Sequence, residues 1–373
     1  FQAEDGIRDS VASRGLGDVY KRQPYGRQHI DANDIQEVVR VLESDYLTTG
    51  KKTIDFEIEF SKKVNVKYAV SCSSGTAALH LSLLAQNLPN ESRVIVPAIS
   101  FLATANIVEL SGGKVVFADV DSETGVLSES TITKAIENTG DKISAIIPVH
   151  LFGQVCDMNA IMKIAKKKNL FVIEDACQSV GGGYEKKMLG TIGHVGAFSF
   201  NYYKNMTSGE GGAVVCNDDK IIERARCAID PCHFYWQGRK NSLKPFAANG
   251  SRASEFMGAI LYVQLKRLPK MIKKMRLERD KILKSTKHLS NFGIKQTPLN
   301  SQKYDCGTFA FFTFNRKNDA QKFAKVFPSV IAGTTGRHNY TEWDQILLKE
   351  GSFHQSLNPV SYTHLTLPTS DLV

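Results

Sequence analysis

Seven short apolar runs recur along the first two thirds of this chain, and they limit what it can become. They are YAVSC (68–72), RVIVP (93–97), KVVFADV (114–120), SAIIPVH (144–150), LFVIED (170–175), GAFSF (196–200) and GAVVCN (212–217). A strand that is apolar at nearly every position, rather than at every second one, has to be covered on both faces. Helix-like stretches of about 10–15 residues separate the first five runs, and crossovers of that length join parallel strands. The expectation is an α/β fold: a mostly parallel sheet covered by helices.

The flanking regions read differently. In IDANDIQEVVRVLES (30–44), Ile35, Val38, Val39 and Leu42 have the spacing of one helix face. Asp31 and Asp34 stand near its start, where acids favour a helix N-terminus. From about 252 one long basic amphipathic helix is predicted to run to about 286, followed by shorter strand candidates such as GTFAFFTFN (307–315). These assign residues 24–251 to a large domain and 252–360 to a smaller C-terminal α+β domain. Residues 1–23 and 361–373 show no usable helix or strand period and are similar to translated sequencing-adaptor read-through. They are expected to be non-native extensions that pack poorly on the rest, with the small domain cut short at Val360.

Composition narrows the function classes. The chain has 373 residues, 42% hydrophobic and 23% charged, with a formal charge of +9. Its basic residues are dispersed in segments such as KIAKKKNL (163–170) and KMIKKMRLERDK (270–281), the pattern of solvated helix faces and not of a nucleic-acid footprint. A mild attraction for anionic small substrates is the better use of such charge. No apolar stretch approaches the ~20 residues of a membrane span. The seven cysteines have no metal-type spacing, and Cys72 and Cys216 lie in apolar strands, which points to reduced thiols in a cytoplasmic protein.

Three elements carry chemistry. Ser74-Gly75-Thr76 separates a strand from the helix-like AALHLSLLAQ, placing backbone N–H groups and hydroxyls where an anion is favoured. Asp175 closes an apolar strand at the sheet edge where open α/β folds bind ligands. Lys204 stands between an apolar strand and Ser208-Gly209-Glu210-Gly211-Gly212, with Phe198, Phe200, Tyr202 and Tyr203 nearby to keep it partly dry. Each element alone has an ordinary reading: a helix cap, a capping acid, a surface lysine. Together they are a phosphate cradle, a buried acid and a buried amine, the parts that hold pyridoxal phosphate. A nicotinamide enzyme is disfavoured, since Gly181-Gly182-Gly183 is its one support and GxGxxG is missing after the first strand.

YLTTG (46–50), SSGTAAL (73–79), PAISFLATANI (97–107), PVHLFGQVCDM (148–158), EDACQSVGG (174–182) and SFNYYKNMTSGEGGAV (199–214) resemble the DegT/DnrJ/EryC1/StrS sugar aminotransferases, within the fold type I pyridoxal phosphate enzymes. The resemblance covers about Pro24 to Ala259. It implies that Lys204 forms the Schiff base and Asp175 partners the pyridine nitrogen. Gln178 is implied to bond the ring hydroxyl, Ser74, Gly75, Thr76 and Ser199 to hold the phosphate, and Phe101 to stack on the ring. It further implies a homodimer with the cofactor near the subunit boundary, where Asn249 and Arg252 are candidates from the partner chain. The implied reaction moves an amino group from L-glutamate to a nucleotide-linked keto sugar, for amino-sugar or surface polysaccharide (lipopolysaccharide) biosynthesis. An 8-amino-3,8-dideoxy-octulosonate-type keto sugar acid is the alternative acceptor, and a non-catalytic cofactor-binding paralogue the alternative class. The sequence departs from the family where Asn-x-Arg is usual: here it reads Asn249-Gly250-Ser251-Arg252, so the role of Asn249 stays open. The loop 228–250 and the segment TGRHNYTEWD (335–344) also depart, in regions where substrate selectivity would be set.

Overall fold

In the computed structural model the described residues are 28–140, 142–230, 246, 248–327 and 329–348. The proposed extensions 1–23 and 361–373, and most of the 228–250 loop, therefore lie outside them. The chain begins with helices α1 (Ala32–Leu42) and α2 (Lys51–Val64), then alternates. The elements are β1 (Tyr68–Cys72), α3 (Gly75–Gln86), β2 (Arg93–Pro97), α4 (Ala103–Leu110), β3 (Lys114–Ala118), α5 (Glu129–Thr139), β4 (Ile143–Ile146), α6 (Met158–Lys168) and β5 (Phe171–Asp175). A small hairpin, β6 (Gly183–Tyr184) and β7 (Lys187–Met188), precedes β8 (Val195–Ser199), β9 (Gly212–Cys216) and α7 (Asp219–Ile229). The 32-residue α8 (Glu255–Thr286) leads to the hairpin β10 (Ile294–Gln296) and β11 (Phe312–Phe314), then α9 (Lys317–Val326) and α10 (Asp344–Leu347).

Seven strands form one sheet in the order β1-β9-β8-β5-β4-β2-β3. Both neighbours of β9 run antiparallel to it, and the other pairings are parallel. Alternate residues of each strand feed two apolar layers. Ile95, Val116, Ile146 and Val172 meet Phe56, Phe60, Ile161 and Leu261 on one side. Val94, Val115, Ala145 and Ile173 meet Leu79, Ile107 and Ile222 on the other. Burial on both faces is why these strands read as continuous apolar runs.

Helix α1 forms as expected, closed by a reciprocal capping box between Asp31 and Asp34. Its inward face is not the expected one. Asp34, Glu37 and Val41 are buried, whereas Ile35, Val39 and Leu42 are 58%, 43% and 61% exposed. The acids turn inward because cations await them: Arg267 on α8 pairs with Asp34 at 2.5 Å, and Lys52 pairs with Glu37 at 2.5 Å. The strand expected over 307–315 is shortened to Phe312–Phe314, paired with the short β10.

Glu255 ties the two ends of the fold together. Gly50, at the start of α2, has no side chain to cap the helix. The buried Glu255 carboxylate accepts instead from the amides of Gly50, Lys52 and Thr53 at 2.6, 2.8 and 3.0 Å, and from the Thr53 hydroxyl at 2.6 Å. One turn on, a Cβ on Gly258 would lie 2.6 Å from the Thr53 nitrogen, so the helices cross at backbone contact.

Candidate functional site

The first βα turn shapes an anion cradle. Ser74 is the N-cap of α3, its hydroxyl accepting from Ala77 N–H at 3.1 Å. A Cβ on Gly75 would lie 2.6 Å from the Ser199 Cβ and 3.2 Å from the Cys177 sulfur, so only glycine lets this helix N-terminus reach the end of β8. From the other side, a Cβ on Gly212 would meet the Ser74 carbonyl oxygen at 2.2 Å. Thr76 is exposed beside them, and the Ser199 hydroxyl accepts only a long 3.4 Å bond from Asn201 N–H. Unpaired helix-terminal donors and two hydroxyls thus converge in a space closed to larger residues, which suits a phosphate group.

Asp175 lies at the carboxyl end of β5 and is buried. One carboxylate oxygen accepts from the Thr104 hydroxyl at 2.8 Å, the other from Cys177 N–H at 3.1 Å. Thr104 is itself held by Ser100 at 2.9 Å. Behind Asp175 stands the fully buried Glu174, accepting from Gly190 N–H at 2.8 Å, from the amides of Ile192 and Gly193, and from His150 at 3.2 Å. Since His150 Nδ1 accepts from Cys156 N–H, its proton sits on Nε2 and faces that carboxylate. Burial, reinforced by the charge of Asp175, pushes the Cys177 thiol far up, so it is an inert neutral neighbour.

Lys204 sits in the turn after β8, its N–H bonded to Asn201 O at 2.9 Å. The turn is closed by Ser208 N–H on Phe200 O at 3.1 Å, just beyond the end of β8 where Ser199 meets Gly75. The aromatic surroundings differ from expectation. Phe198 and Phe200 are buried beneath the sheet edge against Phe56 and Phe60, but Tyr202 and Tyr203 are 40% and 58% exposed and pack on each other. The chain leaves the sheet into a turn after Ser199, and both tyrosines lie on that turn. Gln178 uses Oε1 to accept from Phe152 N–H at 2.7 Å, leaving its amide hydrogens as donors. Phe101 is 41% exposed at the cleft. Asn249 is exposed and accepts from the Ser251 hydroxyl at 2.8 Å, while Arg252 pairs with Asp230 at 3.2 Å. The structure brings Lys204, Asp175, Gln178, Gly75 and Ser199 to one sheet edge, and runs the backbone of Ser251 and Arg252 beside the end of β1, where Ser73 N–H donates to Ser251 O at 2.9 Å and Arg252 bridges Cys72.

Sequence reasoning missed Thr104, Glu174, His150 and His338. Thr104 and Glu174 lie inside motifs whose other residues drew attention. His338 lies in the segment 335–344, which only tertiary contact brings to the site: its carbonyl accepts from Ser100 N–H at 2.8 Å.

A seven-stranded, mostly parallel sheet with a lysine and a strand-terminal acid at its carboxyl edge is the architecture of the fold type I pyridoxal phosphate aminotransferases. The chain belongs to the DegT/DnrJ/EryC1/StrS aminotransferase family, whose pattern matches residues 28–330. It is 38% identical over 216 residues to the GDP-perosamine synthase of Escherichia coli O157:H7, covering 58% of this chain and 57% of that protein. Among solved structures, the aminotransferase from Psychrobacter cryohalolentis superposes with a TM-score of 0.67 at 31% identity, covering 72% of this chain and 70% of that one. A GDP-4-keto-6-deoxymannose-3-dehydratase with a trapped PLP-glutamate geminal diamine gives 0.77 at 25% identity, covering 88% and 89%. The chain spans between 51% and 68% of the length of five curated relatives that it matches. Among the described residues, no helix is long and apolar enough to cross a membrane.

Proposed function

We propose that this protein is a pyridoxal phosphate-dependent aminotransferase that moves an amino group from L-glutamate to a nucleotide-linked keto sugar, in amino-sugar biosynthesis. The observation that carries this reading is the convergence, at one sheet edge, of Lys204, the doubly bonded Asp175 and the Gly75–Ser199 cradle. Relatives named GDP-perosamine synthase and a neighbour that holds a PLP-glutamate adduct support the sugar and the donor.

Bound pyridoxal phosphate would supply an electron sink for the pair left when the donor α-carbon loses its proton. The cradle of Ser74, Gly75, Thr76 and Ser199 would hold its phosphate, the Gln178 amide its ring hydroxyl and Phe101 its ring face. Asp175, oriented by its two donors, would face the pyridine nitrogen and hold a proton there. The Lys204 amine would hold the cofactor and would move the proton off the donor α-carbon. Sugar dehydratases of this family carry histidine at the lysine position, so Lys204 favours transamination over dehydration. The intact Lys204–Asp175 pair is the feature that counts against a non-catalytic paralogue.

Borohydride treatment of the reconstituted protein is expected to fix the cofactor on Lys204 and on no other lysine, read by peptide mass spectrometry. A protein that stays colourless with excess cofactor sinks the reading. Keto sugars and keto sugar acids offered with glutamate, with products read by mass spectrometry, then name the acceptor.

A homodimer belongs to the same proposal. Ile35, Val39 and Leu42 on α1, Tyr46 and Leu47 beyond it, and Ile54 and Ile58 on α2 are each 43–62% exposed. That many large apolar side chains on adjoining elements suit a second copy of the chain. Asn249 and Arg252 are the candidates to reach the partner's cleft. Light scattering is expected to give a dimer, and an active monomer would exclude it.

A further inference from the structure

The segment that follows the small hairpin returns to the cleft, and it carries an imidazole that neither the family motifs nor the cofactor contacts employ. Resting on the aminotransferase reading, we propose that His338 determines acceptor specificity: its Nε2–H donates to a hydroxyl or other neutral oxygen of the keto sugar, against a wall made by Phe101 and Phe152.

The backbone is fixed first. Ser100 N–H donates to His338 O at 2.8 Å and Tyr340 N–H to Ala98 O at 3.1 Å, with Ile99 and Asn339 bridged antiparallel between them. Tyr340 and Trp343 anchor the segment in the core against Phe117. His338 is thereby tied to the loop that carries Phe101 and, through Ser100 and Thr104, to Asp175.

The ring is fixed next. Its centroid lies 4.8 Å from that of Phe152 and 5.9 Å from that of Phe101, at tilts of 55° and 53°. Phe152 holds a left-handed backbone, φ 53°, an uncommon conformation for an aromatic residue, and it is secured by its N–H bond to Gln178. Strain of this kind persists where the surroundings over-determine a side chain's place.

The tautomer follows from Thr335. Its hydroxyl oxygen accepts from the N–H groups of His338 at 3.1 Å and Arg337 at 3.4 Å, so its own proton goes to His338 Nδ1, 2.8 Å away. The ring proton then sits on Nε2, which makes no hydrogen bond among the described residues. Burial, with the charges of Arg337 and Lys204, holds this histidine down at about 4, so it meets a substrate as a neutral donor. A neutral N–H beside aromatic faces suits a sugar ring, whose C–H face packs on aromatics and whose hydroxyls seek uncharged partners. It suits the donor's carboxylates poorly, since those call for a cation.

The test compares the two half-reactions in His338→Phe and His338→Gln. The spectral change on adding L-glutamate reads the donor half. Amination of GDP- and UDP-linked 4-keto-6-deoxyhexoses and of a keto octulosonate reads the acceptor half. For the acceptor the wild type uses best, His338→Phe is expected to slow the acceptor half at least about tenfold more than the donor half, with His338→Gln recovering part of the loss. Equal slowing of both halves, or an acceptor half within about twofold of wild type, overturns the proposal. A wild type that shows no spectral change with glutamate, or aminates no member of the panel, overturns the keto-sugar aminotransferase reading and takes this inference with it.

Discussion

At the scale of single residues the cleft depends on contacts that tolerate little change. In the proposed reaction Asp175 acts through charge, and Asp175→Asn keeps the shape while giving up the carboxylate that Thr104 and Cys177 hold. That variant is expected to retain the cofactor and lose most of its turnover, and steady-state rates near wild type would refute the assigned role. Gly75 acts through absence. With 2.6 Å between a new Cβ and that of Ser199, Gly75→Ala must push the helix terminus off the strand end. Its cofactor affinity, measured by titration of the visible absorbance, is expected to fall about tenfold or more, the equivalent of ~1.4 kcal/mol. Much of this was legible in the sequence, because Lys204, Asp175 and Gly75 each stand at a boundary between an apolar run and glycine-rich text. Thr104 and His338 were not. A threonine in the first turn of a helix and a histidine in an irregular segment gain meaning only from what tertiary folding sets opposite them.

At the scale of elements, strands announced themselves and faces did not. The continuous apolar runs named all seven strands of the main sheet to within a few residues, because a doubly covered strand has little else it can be. Helix α1 shows the opposite case: its apolar stripe looks outward while Asp34 and Glu37 look inward to Arg267 and Lys52. Periodicity locates an apolar face but does not say whether this chain or another covers it. Glu255 was equally invisible, since its role is to cap a helix that starts two hundred residues earlier. Glu255→Ala would leave the buried amide of Thr53 and the part-buried amides of Gly50 and Lys52 without this acceptor. It is expected to cost roughly 1–3 kcal/mol in urea unfolding, with Glu255→Gln milder. An unchanged midpoint would show that water caps α2 equally well.

For the whole molecule, acid should act through histidines. Burial lowers His80, and burial with neighbouring charges lowers His338 to about 4, from an ordinary 6.5. Between the lowered values and 6.5 the unfolded chain binds more protons than the native one, so stability rises with pH through that window and is lost as pH falls. Above it these two groups contribute no slope. The urea midpoint is expected to drop between pH 7 and pH 5, and His80→Leu to shrink the drop, because its buried Nε2 has no partner to lose. A midpoint equally pH-dependent in that variant would move the cause elsewhere. The strand order has a consequence for how the chain is made. In the main sheet β1 pairs only with β9, yet residues 73–211 separate them and the intervening strands can associate as they emerge. At ribosomal speeds that gap lasts on the order of ten seconds, during which β1 has no strand beside it. The nascent chain must carry the edge of its own cofactor cradle unpaired until nearly the last strand of the sheet is synthesised, a window in which holdase chaperones find their substrate.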